Sequence, residues 1–128
     1  MTAPVSKKAQ LIGWTLSILP VLMLLMSATM KFLQPPQAME GFEHLGYPAH
    51  LAIPLCVTEL TCTVLYLVPQ TSVLGAILLT GYLGGATASH VRVEEAFFIP
   101  IVLGVMIWLG LYLRDPRLRA LVPLRKKS

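Results

Sequence analysis

Apolar residues fill four long windows of this chain, and the polar residues gather almost entirely between them. The windows run over 10–31, 49–68, 71–91 and 97–113. Each approaches the about 20 residues that a helix needs to cross a hydrocarbon core of about 30 Å. Helix is the form expected, because a span in lipid must satisfy its backbone donors and acceptors internally. Only Pro69 and Gln70 separate the second window from the third, which predicts a tight helical hairpin. The pattern therefore predicts an all-α membrane protein. It is one domain over 1–128, an antiparallel bundle of four transmembrane helices with a basic tail over 114–128 that either hugs the surface or is disordered. Pro20 lies inside the first window, where a bilayer tolerates it at the expense of a kink.

The longest connection, Phe32–His50, is too polar to span. Pro35 and Pro36 stop the first helix, and Gly46 with Pro48 marks a turn before the second. Between them Met39, Phe42 and Leu45 recur at three-residue spacing against Glu40, Glu43 and His44. That pattern suits a short interfacial helix on the membrane surface, and an ordered loop fits it equally.

Charge then fixes an orientation. Of the 128 residues 55% are hydrophobic and 12% charged, half the roughly 25% of a soluble domain. Lys7, Lys8, Arg114, Arg117, Arg119, Arg125, Lys126 and Lys127 all fall on one side of a four-span bundle. Lys31 and Arg92 lie on the other, with Glu40, Glu43, Glu94 and Glu95. The positive-inside rule puts both termini in the cytoplasm. The net +4 charge reads as orientation and attraction to anionic lipid, and nucleic-acid binding is not expected. The first window is longer than the about 7–15 residues of a signal core, so an uncleaved first helix is expected. Cys56 and Cys62, about 600° apart around one helix, cannot bridge each other, and no CxxC is present.

Glu59 is the candidate for chemistry. A carboxylate in the middle of a span costs a few kcal/mol, roughly 2.5–3.5 for the comparable Asp, so it finds a partner, faces a bundle interior or carries function. Lys31, His90 and Arg92 end their spans on one side of the membrane and are the available cations. With the second span starting near Leu51, Glu59 lies about 12 Å deep and His90 only a few ångströms. Lys31 reaching inward is therefore the better partner. Cys56, Cys62, Thr63 and Tyr66 share the polar face of the second span, and Thr80 and Tyr82 on the third are further neighbours. A protonated Glu59 bonded to such hydroxyls is the alternative to a working pocket. The candidate ligand-binding set is Lys31, Glu59, Tyr82, His90 and Arg92, with Glu59 and His90 as catalytic candidates. His44, His50 and His90 lack metal-ligand spacing, so no metal is expected. Gly81, Gly85 and Ser89, flanked by Gly84 and Ala88, form a small-residue stripe. It predicts close helix contact, within the chain, with a protein partner or through self-association.

At these residues the chain resembles the DoxX-like family, small four-helix membrane proteins of bacteria. Lys31-Phe32 closes the first span, Glu59 stands within the second, and the stretch GYLGGATASHVR closes the third. The resemblance covers nearly the whole chain and implies a four-helix bundle in the bacterial cytoplasmic membrane. One branch of the family is associated with thiosulfate:quinone oxidoreductase and with complexes handling thiol stress. Wider relatives serve as assembly or trafficking factors. The expected function is thus an accessory or subunit of a membrane redox system, quinone- or thiol-linked, with a polar pocket opening to the extracytoplasmic side. No cofactor is evident in the sequence itself; the resemblance leaves room for a quinone, reached through the membrane or a partner. A non-catalytic scaffold or assembly factor is the alternative. A small proton pathway also fits an intramembrane acid, without the inverted repeats usual in transporters.

Overall fold

The computed structural model describes residues 5–125. It is all-helical: α1 (Lys7–Leu33), α2 (Pro36–His44), α3 (Ala52–Leu67), α4 (Ser72–Arg92), α5 (Phe98–Arg114) and α6 (Pro116–Leu121). Three stretches are long and apolar enough to cross a membrane, Lys7–Leu33, Ala49–Leu67 and Pro69–Arg92. The fourth, Phe98–Arg114, is apolar up to its terminal arginine and has 17 residues. α1 runs unbroken through Pro20. Ser6 caps its start by accepting from the Ala9 N–H, so it begins ahead of the apolar window.

Packing is cyclic: α1 lies against α3 and α5, and α4 against α3 and α5. The apolar core includes Val21, Leu24, Cys62, Tyr66, Leu79, Leu83, Leu103, Ile107 and Leu111. Leu11, Leu22, Met26, Val57, Ile77, Val102 and Val105 face outward. In water that surface would be an aggregation patch; on helices of this length it is the face that meets lipid.

Close approaches occur where a Cβ has no room. A Cβ on Gly75 would strike the backbone of Tyr66, and this joins α3 to α4. One on Gly13 would lie 2.8 Å from the Gly110 carbonyl oxygen, and this joins α1 to α5. Of the contacts expected of the glycine stripe, the one within the chain is not made at its glycines. At Gly81, Gly84 and Gly85 a Cβ would meet nothing within 4 Å, so these glycines make no close contact within the chain.

The tail also differs from a disordered end. Asp115 accepts from the Arg117 N–H and Pro116 starts α6, a cap and first-turn pair that forms a helix wherever a side can be buried. Leu118 supplies the buried side. Lys126 and Lys127, counted in the charge asymmetry, lie outside the described residues.

Candidate functional site

The bundle end that carries α2 holds a cavity of about 950 Å³. This is at the upper end of the ~300–1,000 Å³ of small-molecule sites. Its walls are mostly apolar, including Met23, Leu24, Leu55, Leu83 and Leu103. Lys31, Glu59, Tyr82 and His90 line it as well.

Glu59 is 1% exposed, at the middle of α3. The Lys31 ammonium lies 3.3 Å from its Oε1 and donates to the Ser27 Oγ at 2.6 Å. Helical side chains lean toward the helix N-terminus. A lysine near the end of α1 therefore reaches back one turn to Ser27 and down to the acid. The same nitrogen stands 5.9 Å from the centre of the Tyr82 ring. Lys31 thus compensates a carboxylate whose side chain is 2% exposed, the condition for keeping that charge in a low-dielectric interior.

α2 roofs the cavity. Phe42 is buried and stacks on Tyr47 at 5.0 Å. The Tyr47 hydroxyl pairs with the Ser89 hydroxyl at 2.5 Å, and Ser89 donates to the Gly85 carbonyl. Gly46 adopts φ +91°, a left-handed conformation in which its missing Cβ leaves room for the Arg92 guanidinium. Arg92 donates there to the Leu45 carbonyl. His44 meets Glu95 at 2.7 Å, tying the end of α2 to the connection before α5.

The five expected ligand-binding residues therefore separate. Lys31, Glu59, Tyr82 and His90 share the cavity, while Arg92 holds the roof and is not among the lining residues. His90 makes no bond to Glu59 among the described residues. Its Nδ1 lies 2.7 Å from the Ala86 carbonyl, which can only accept, so Nδ1 carries a proton and Nε2 is left facing no partner among the described residues. The other polar residues of α3 are engaged elsewhere. Cys56 donates to the Ala28 carbonyl, Thr63 to the Glu59 carbonyl, and Tyr66 to the Ile107 carbonyl at 2.6 Å. Thr80 accepts from the Trp108 indole.

A second polar cluster, at the α6 end, was not legible as one. Arg114 is 9% exposed, with its guanidinium carbon 4.0 Å above the Trp14 ring and 5.2 Å from the Tyr66 ring. Its Nε donates to Ser17, and its Nη2 is buried with no partner among the described residues. Sequence position reads Arg114 as one more interfacial cation. Its aromatic neighbours are distant in the chain, so no local signal reveals the burial. Ser27, by contrast, stands four residues before Lys31, a spacing that puts both on one helix face.

Chemically, the cavity offers an apolar chamber with donors (Lys31, Tyr82) and acceptors (Glu59, His90 Nε2) at its polar side. The model of the DoxX-like family matches residues 15–110. No curated protein and no solved structure matches the chain.

Proposed function

Because this chain belongs to the DoxX-like family and is a membrane protein, we propose that it is the ligand-binding accessory or subunit of a membrane redox system, quinone- or thiol-linked. In this reading four antiparallel helices cross the bacterial cytoplasmic membrane with both termini inside, and the cavity opens to the extracytoplasmic side. The observation that carries it is the Lys31–Glu59 pair at the wall of a roofed, largely apolar cavity. On an α3 that runs opposite to α1, the tilt toward the helix N-terminus lifts Glu59 toward the same mouth from which Lys31 descends.

A quinone-like molecule fits such a chamber. Its carbonyl oxygens match the Lys31 ammonium and the Tyr82 hydroxyl. The hydroxyls of its reduced form match the Glu59 carboxylate and the His90 Nε2. Bound, it supplies the electron chemistry. The chain's own residues hold the head beneath α2 and accept or return a proton at Glu59.

The second reading is a scaffold or assembly factor, favoured by the fact that Lys31–Glu59 also bridges α1 and α3. Glu59→Gln separates the two. Near-normal folded yield in detergent with at least a tenfold loss of quinone-linked activity supports the binding reading. Collapse of yield with the residual activity per folded molecule intact supports the scaffold. No effect on either removes the polar site. Purification in mild detergent should return a redox enzyme; recovery of unrelated membrane proteins alone counts against the redox reading.

A further inference from the structure

On the other side of Leu83 and Pro100 from the cavity, the outer surface of α4 and α5 carries a trench of about 580 Å³. Two glycines open it. A Cβ at Gly84 would meet nothing within 4 Å, and one at Gly104 would meet only the Leu83 Cδ1 at 3.9 Å. The threonine hydroxyls along it are already used: Thr87 donates to the Leu83 carbonyl, and Thr80 donates to the Ala76 carbonyl while accepting the Trp108 indole N–H at 2.6 Å. What is left is an apolar surface open to lipid. It follows α5 from Pro100 to Tyr112, about 18 Å at 1.5 Å per residue. One leaflet of a hydrocarbon core is about 15 Å deep, so the trench has the length of one acyl chain.

Charge is placed at its α6 end, where Leu118 and Val122 form the last of the lining. Arg119 donates its Nε to the Tyr112 carbonyl and an Nη2 hydrogen to the Leu113 carbonyl, both at 2.9 Å. Its guanidinium lies 5.6 Å from the Tyr112 ring, itself part of the trench. Two bonds leave three of the five guanidinium N–H groups for another acceptor. Among the described residues no carboxylate pairs with Arg119, and Arg117 beside it is exposed.

We propose that the α4–α5 trench is a binding site for one anionic phospholipid of the leaflet on the α6 side, with an acyl chain between Gly84 and Gly104 and the headgroup phosphate on Arg119. An apolar trench of one-leaflet length that ends at a fixed arginine with no carboxylate partner among the described residues matches the two halves of such a lipid in the right order. A helix, about 10 Å across, would rest on the trench and not fill it. This site is independent of the Lys31–Glu59 cavity.

Native mass spectrometry of the full chain tests it, with phosphatidylglycerol and phosphatidylethanolamine of identical acyl chains as probes. The expected result is one retained lipid per chain. Phosphatidylglycerol should be preferred about fivefold, the factor one basic residue contributes near an anionic surface. Gly84→Leu grows a side chain into the open space and lowers retention of both lipids severalfold without unfolding the chain. Arg119→Gln lowers phosphatidylglycerol retention about fivefold, to the level of phosphatidylethanolamine, and Arg119→Lys restores the preference. Equal retention of the two lipids by the wild-type chain overturns the proposal, as does unchanged retention in Gly84→Leu. A dimer that is lost in Gly84→Leu assigns the trench to a second copy of the chain and also overturns it.

Discussion

Replacing Lys31 by Met leaves the Glu59 carboxylate, its side chain 2% exposed, without its cation. Removing one member of a buried pair costs about 3–5 kcal/mol, because the remaining charge has neither water nor partner. The cavity beside Glu59 admits some water, so about 3 kcal/mol is expected for Lys31→Met. The reverse change is milder. In Glu59→Gln, Lys31 keeps the Ser27 hydroxyl at 2.6 Å and an 18% exposed side chain. The glutamine oxygen also still accepts from it, so about 1 kcal/mol is lost, the scale of one hydrogen bond. The double variant Lys31→Met/Glu59→Gln strands no charge and should cost about 1 kcal/mol, far short of the roughly 4 that additivity demands. Reversible unfolding of all four proteins in mixed micelles, titrated with SDS, measures the cycle. Additive losses, or equal losses for the two single variants, would refute the claim that these residues act as one unit.

Glycine contacts give the next contrast. Gly75→Ala drives a methyl into the Tyr66 backbone and should lose about 1–3 kcal/mol, whereas Gly81→Ala meets open space and should gain up to about 1 kcal/mol of helix stability. The same SDS titration reads both. Arg114→Lys keeps the charge but cannot stack flat on Trp14 while bonding Ser17; a loss of about 2 kcal/mol is expected, the scale of a desolvated cation–π contact, and an unchanged midpoint would contradict the burial of that guanidinium. Tyr47→Phe removes the bond to Ser89 at the roof of the cavity, about 1 kcal/mol of local stability, so amide exchange in α2 should accelerate about fivefold while α3 is unaffected.

The spans were legible because bilayer thickness dictates run length, and α3, α4 and α5 fall within a few residues of the apolar windows. Differences arise where polar groups extend a helix beyond the apolar run. Ser6 caps α1 ahead of its window, and Asp115 with Pro116 starts α6 in what composition alone reads as tail. The Asp115–Pro116 pair stands in the sequence, where the basic residues alone read as tail. The site was legible in outline, because a lone intramembrane acid requires a partner and depth along the helices favours Lys31 over His90. Its division was not. Whether Arg92 faces the cavity or the roof depends on the left-handed turn at Gly46, and the burial of Arg114 depends on Trp14 and Tyr66, which only the packing of α1 and α3 on α5 brings to it. Gly81 and Gly85 carry the same ambiguity. Small residues suit a tight contact and an open cavity equally, and the sequence does not say which faces a neighbour.

That last point supplies the most direct test of the cavity. Gly85 lines it, and nothing stands within 4 Å of a Cβ placed there. Gly85→Leu therefore projects a side chain into the chamber. Titration of a short-chain quinone into the chain in lipid nanodiscs should give saturable binding with one molecule per wild-type chain, weakened at least tenfold in Gly85→Leu. Absence of saturable binding to the wild-type chain, or equal affinity in the filled variant, would contradict the account.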